Sequence, residues 1–296
     1  MQTRKEFLKQ AGLFSTGALL FNNANLFAAA KPANAGLQLF TLFNVLDEDV
    51  KGNLQKVAAL GYKEIESAFS RKGGYYGMTA KEFAALLKEL GLVWQSHHVP
   101  GNAFRPRPGM DLSKMPRSLN LTDNAKEAVD DIAAAGVPYL VCSSIAIGTA
   151  DEIKKSTEVL HTTAEMAQKA GLQFCYHNHE KEFADTEGIS AFDYFASQIS
   201  SGLLKFELDI AWATKGGVDV VSLFKMHPKR FPLWHLKDID KEFKTVLPVG
   251  DGIINYQKIF SNANKAGLKH FFIEHDMPKD PFESIGKSIV AVRKLR

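Results

Sequence analysis

The segment CYHNHEKEF, residues 175–183, sets two imidazoles two positions apart in an apolar, strand-like context. Side chains alternate faces along a strand, so His177 and His179 share one face while Tyr176 and Asn178 take the other. Two imidazoles about 7 Å apart by strand rise can serve one metal, or one can hold the metal while the other meets a substrate. Later runs end in a similar way. FELDIAWATKGG closes on Asp209, with Glu207 on the same face but short of the end; WHLKD pairs His235 with Lys237, and FFIEHD pairs Glu274 with Asp276. Earlier runs end on Glu66 and on His97 and His98. His177, Asp209, His235 and Glu274 together give two imidazoles and two carboxylates, an N/O set suited to one divalent ion (Mn, Co, Zn, Fe or Mg), with no thiolate to select a softer one.

Such residues need a scaffold that brings strand ends together. From Gly36 onward one unit repeats: an apolar run of strand length, a few polar or glycine residues, then an amphipathic segment of helix length. The expected strands are Leu37–Leu42, Tyr62–Ser67, Leu92–His98, Tyr139–Ser143, Gln173–His179, Leu204–Asp209, Leu233–Lys237 and His270–Glu274. Helices are signalled by NLQKVAALGY, TAKEFAALLKELG, NAKEAVDDIAAAG and DEIKKSTEVLHTTAEMAQKAG, then near Ile189–Ser200, Val218–Phe224 and Asn255–Ala266. Several close on glycine, which caps a helix C-terminus in the left-handed conformation without steric cost. Eight such units without a linker predict an α/β protein, a single (β/α)8 TIM barrel domain over residues 36–296. An open doubly wound sheet would carry a glycine-rich phosphate loop after its first strand, and LQLFTLFNVLDED has none. Active sites of such barrels lie at the C-terminal strand ends, which is where the polar residues gather. The proline-rich stretch from His98 to Leu119 reads as a lid over that face.

Composition is that of an ordinary globular chain: 296 residues, 45% hydrophobic and 23% charged. No apolar run reaches the ~18–20 residues of a membrane span. Residues 1–35 carry Arg4, Lys5, Lys9 and Lys31 against Glu6, which leaves the remainder with equal positive and negative charge. A neutral body gives no electrostatic case for nucleic acid. The basic start, the apolar stretch Ala11 to Phe21 and the small residues around Ala28 to Ala35 predict an export signal and a periplasmic protein. TRKEFLK resembles a twin-arginine motif with Lys5 in place of the second arginine. Cys142 and Cys175, both in apolar runs, are expected as buried thiols rather than a bridge.

Five segments, YHNHEKEF, FELDIAWATKGGVD, RFPLWHLKD, VGDGIINYQKIF and FFIEHD, resemble the xylose isomerase-like barrels, the sugar phosphate isomerase/epimerase group. That resemblance covers residues 36–296. It implies a divalent metal at the barrel mouth held by His177, Asp209, His235 and Glu274, and a carbohydrate substrate. One position departs from the ketose epimerases: His177 stands where they have a glutamate that also moves a proton. Glu182 lies near the place of their second, substrate-binding glutamate.

The chemistry implied begins with proton removal beside a carbonyl, with the ion polarising the oxygens. Glu274 is the first candidate base, with Glu66, His179 and Glu182 behind it. Lys237 can face developing oxyanion charge, or pair with Asp209 or Asp238. His98 can reach substrate hydroxyls and Trp212 can stack on a sugar ring, while His97 is expected behind the barrel wall. An isomerase or epimerase is the leading expectation. A lyase or hydratase acting on keto-sugars, 3-keto-glycosides or inososes uses the same site, and a non-catalytic sugar-binding barrel ranks third. A DNA-repair nuclease of the endonuclease IV type would need more ligands and a basic surface. A homo-oligomer is compatible with all of these.

Overall fold

A computed structural model describes residues 34–104 and 116–295, which close into a barrel of eight parallel strands. In chain order these are β1 (Gly36–Gln38), β2 (Glu64–Ser67), β3 (Val93–Val99), β4 (Tyr139–Cys142), β5 (Gln173–His177), β6 (Leu204–Asp209), β7 (Leu233–Leu236) and β8 (His270–Ile273). Each strand pairs with its neighbours in sequence, and β8 closes on β1. The main helices are α1 (Val50–Leu60), α2 (Ala80–Glu89), α3 (Leu121–Ala134), α4 (Ala150–Lys169), α5 (Ala191–Gln198), α6 (Ile210–Lys215), α7 (Val220–Met226), α8 (Tyr256–Phe260), α9 (Ala263–Ala266) and α10 (Pro281–Lys294). The leader expected over residues 1–35 lies, apart from its last two residues, outside the described residues, as do residues 105–115 of the expected lid. No helix among the described residues is long and apolar enough to cross a membrane.

Local signals account for these elements. Thr79 and Glu82 form a reciprocal capping box on α2, Glu82 accepting from the Thr79 backbone at 2.8 Å. Gly61, at φ +95, ends α1 in the left-handed conformation and turns the chain into β2. The outward faces of the strands meet the helices through large aromatics: Trp234 stacks on Phe224 with centroids 5.1 Å apart, and Phe192 lies 4.5 Å from Phe206. Inside the barrel a small plug of Val141, Cys175, Leu233 and Phe272 is fully buried. Below it Tyr139 of β4 meets His270 of β8 edge-on across the barrel at 5.6 Å. Cys142 belongs to the outer core, so the two thiols are buried and free.

The register then sets the heights of the polar residues. Asp209 on β6 pairs with His235 on β7, whereas His177 on β5 pairs with Glu207. Three expectations shift. β1 stops at Gln38, whose Oε1 accepts from Phe40 N at 2.9 Å and starts a 3-10 turn over Leu39–Leu42. β5 stops at His177, so His179 stands in the loop beyond it. Helices α6 and α10 were not anticipated, although Asp280 as N-cap and Pro281 at the first helical position announce α10.

Candidate functional site

Asp209 ends β6 and begins α6 in one step. Its Oδ1 accepts from Trp212 N at 2.8 Å, capping the helix, while Oδ2 lies 4.0 Å from both His177 Nε2 and His235 Nδ1. The Asn178 amide clamps the neighbouring strand end, accepting from Asp209 N at 3.0 Å and donating to Asp209 O at 3.2 Å. Ligating atoms of His177, Asp209, His235 and Glu274 consequently all fall within 4.8 Å of one another, every residue buried. The four residues singled out as strand-end ligands converge.

A second group lies beneath the first: His98, His177, Glu207 and His235, again within 4.8 Å and buried. The two groups share both imidazoles, but through opposite nitrogens. His177 Nδ1 is 3.1 Å from Glu207 Oε2, and His235 Nε2 is 2.6 Å from Glu66 Oε1, while His235 Nδ1 is 2.7 Å from Glu274 Oε2. A neutral imidazole has one bare nitrogen, so each shared histidine can ligate in only one group at a time. With a cation in the upper group, the lower N–H groups donate to Glu207 and Glu66, the carboxylate–histidine pairing that fixes tautomer and ring orientation. Gln38 completes this lower layer by donating to Glu66 Oε1 at 2.8 Å.

Buried oxygens without a hydrogen-bond donor remain on Glu66 and Glu207, and Asp209 Oδ2 has only its ion pair with Lys237. Spare acceptor capacity of this kind, in a set of imidazoles and carboxylates, fits a divalent cation. The positive charge facing the upper carboxylates is the ammonium of Lys237, fully buried, 2.9 Å from Asp209 Oδ2, 2.6 Å from Glu274 Oε2 and 2.7 Å from Asp276 Oδ2. Its expected pairing with Asp209 is present; Asp238 instead binds the backbone of Ile239 and Gly250.

The electrostatics follow from this packing. Burial opposes ionisation of Glu274, yet Lys237 and His235 hold its carboxyl well below the usual range. Burial together with the neighbouring Glu207 pushes Glu66 up to about 7, whereas burial of Glu207 is outweighed by His235 and His98, which hold it low. The two carboxylates thus split as like charges in one pocket must. Burial and His235 keep His177 well below its ordinary value, the neutral form a metal ligand needs. Burial would do the same to His235, but Glu207, Glu274 and Glu66 raise it well above. A cation entering the upper group therefore displaces a proton from His235.

Above this floor opens a cavity of about 930 Å³, reached by His98, His177, His179, Glu274 and Asp276. The chain's residues 54–295 match the family model of the xylose isomerase-like TIM barrels. The protein belongs to that family. Among solved structures it is similar to a sugar phosphate isomerase/epimerase from Parabacteroides distasonis, with 26% identity, a TM-score of 0.74, and 90% of this chain and 97% of that one covered. A probable 3-DHS dehydratase of petrobactin synthesis from Bacillus anthracis has 13% identity and a TM-score of 0.67, covering 88% and 98%. The IOLI protein with a bound zinc atom has 18% identity and a TM-score of 0.67, covering 88% and 97%. These last two likenesses show the fold. No curated protein matches the chain in sequence.

In this xylose isomerase-like barrel the other expected residues fall at different depths. His179 reaches the cavity, its ring 5.0 Å from that of His177; burial would lower its pKa, but Glu182 raises it. Glu182 is itself buried, accepting from Tyr176 OH at 2.9 Å and from His179 N at 2.9 Å, so it props the His179 loop. Glu66 lies in the lower layer, away from the cavity surface. Trp212 lies beside the site, with the Lys237 ammonium 5.4 Å from its ring centroid. His97 packs behind the wall against Tyr75, its Nδ1 2.7 Å from Ser67 Oγ. Glu207 was visible as a residue sharing the Asp209 face, but only closure of the barrel shows that three histidines converge on it.

Proposed function

We propose that the protein is a divalent-metal-dependent sugar isomerase or epimerase that removes a proton beside a carbonyl. The observation that carries this reading is the meeting of a four-residue N/O cluster, from consecutive strand ends, with a carboxylate and an imidazole on one cavity floor. His177, Asp209, His235 and Glu274 would hold the ion, which supplies Lewis-acid polarisation of the substrate oxygens when bound. Glu274, ionised across the neutral range, accepts the proton through a carboxylate facing the cavity. His179, held protonatable by Glu182, stands across the floor as the partner acid. Lys237 fixes Glu274 and Asp209 and keeps their charge compensated. Glu274→Gln keeps size and some ligand capacity while removing the base. Solvent deuterium exchange into ketoses should fall about 10²–10⁴-fold with metal content retained. Normal exchange in that variant would move the base to His179.

A second reading rests on His177. A neutral imidazole held by Glu207 does not shuttle protons as a second carboxylate would, which favours a one-sided reaction in which abstraction is followed by loss of a β-substituent. The name of the Bacillus anthracis structure, a probable dehydratase, agrees with such an outcome on this fold. Proton NMR in D₂O separates the two: exchange without elimination supports isomerisation, and loss of water or an aglycone supports the lyase.

A further inference from the structure

The cavity over the cluster has a charged floor, polar groups (Asn102, Ser143, Ser144 and Glu152) on the side of the loops after β3 and β4, and an apolar wall opposite. One wall is a run of phenyl rings from the loops after β1 and β2: Phe40 and Phe43 lie 5.4 Å apart, and Phe43 and Phe69 6.1 Å apart. The wall is braced from outside, since the Arg71 guanidinium sits 5.2 Å from the Phe43 centroid and donates to Asn44 O at 3.1 Å. Across the cavity stand Ile145 and Ile147 from the loop after β4. Eight large apolar side chains are left exposed among the described residues, and Phe69, Phe104 and Met277 of these border this one cavity. Met277 is held there at φ +52, a left-handed conformation that a methionine adopts only at a cost. Exposed apolar side chains gathered at one place mark a binding surface, whereas scattered ones need no explanation.

Size points the same way. At about 930 Å³ the cavity lies in the range that takes drug-sized ligands. A lone hexose, with about 12 non-hydrogen atoms, would cover the polar floor and leave the phenyl wall facing water.

We propose that this wall is a subsite for a flat aromatic substituent, so that the substrate is a sugar carrying an aryl aglycone, its ring on the His179–Glu274–Asp276 floor and its aglycone between the phenyl rings and Ile147. The inference rests on the sugar reading of the floor but not on the metal or the reaction. Rings stack in offset or edge-on geometries against such a wall and gain from area burial besides.

The test is isothermal titration of the full chain, with and without Mn²⁺, using matched 4-nitrophenyl and methyl glycosides of glucose, galactose and xylose and their 3-keto forms. The nitrophenyl member should bind about tenfold or more tightly than its methyl partner for at least one sugar. Phe43→Ala and Ile147→Ser should each shrink that ratio to about threefold or less while the methyl glycoside is held as before. Equal affinity within every pair, no detectable binding of any, or tighter binding of glucose 6-phosphate than of the aryl glycosides would overturn the proposal. So would a ratio untouched by both substitutions, or substitutions that lower only the melting temperature, which would assign the wall to packing of the chain itself. Aryl preference without deuterium exchange would instead sink the metal-isomerase reading and leave the subsite standing.

Discussion

Lys237→Met replaces the cation at the centre of the upper cluster by an apolar side chain of similar length. Three carboxylates, on Asp209, Glu274 and Asp276, then lose an ammonium that lies 2.6 to 2.9 Å from each. Removing one partner of a buried ion pair costs about 3–5 kcal/mol, because the remaining charge has no compensation. Protonation of a carboxylate relieves part of that, so the low end of the range is the expectation near neutral pH. For a domain of this size each kcal/mol is worth about 2–4 °C in melting temperature. In EDTA the variant should therefore melt about 6–12 °C below the unsubstituted protein. A divalent ion bound in the proposed site would supply the missing charge and, binding the folded state, would contribute about 2.7 kcal/mol at a hundredfold excess over its dissociation constant. Scanning calorimetry in EDTA and in Mn²⁺ gives both numbers, and Mn²⁺ should raise the melting temperature of Lys237→Met more than that of the unsubstituted chain. If the two proteins melt together in EDTA, or gain equally from Mn²⁺, the ammonium is not the counter-charge of a cation site.

Three further outcomes test the same arrangement. Asp209→Ala should abolish stoichiometric divalent binding by elemental analysis yet leave the barrel folded, at a cost of about 1 kcal/mol for the lost cap of α6; unchanged metal content would refute its role. Glu207→Gln removes the charge that orients His177, and chelator competition should show metal affinity about 10–100-fold weaker. An unaltered affinity would mean that the tautomer is set elsewhere. Burial lowers the pKa of His97 from 6.5 to about 3, so below 6.5 the unfolded chain takes up a proton that the folded chain refuses. That stability is complete above about 6.5 and is lost toward about 3, at about 1.4 kcal/mol per pH unit. Urea denaturation at pH 7 and 5 should show the unsubstituted protein losing about 2 kcal/mol more than His97→Gln; equal losses would count against a neutral, half-buried His97.

The repeating strand-and-helix units, the glycine stops and the four polar residues at the strand ends are legible in the chain because each depends on local chemistry: periodicity, capping, and which residue terminates an apolar run. His177, Asp209, His235 and Glu274 needed no long-range information beyond closure of the barrel. What the strand ends do to one another was decided by tertiary structure. Barrel shear sets Glu207 level with His177 rather than with Asp209's partner His235, so a residue that reads as a second acid on β6 becomes the hub beneath three imidazoles. Shear also carries Glu66 under His235 and away from the cavity, and gathers three carboxylates from β6 and the β8 end around Lys237. The phenyl wall has the same origin. Phe40, Phe43 and Phe69 follow different strands and look like ordinary loop hydrophobics until closure sets them side by side. Strand ends are written locally, whereas register and closure are global sums over all eight strands, and no single segment of the sequence contains them.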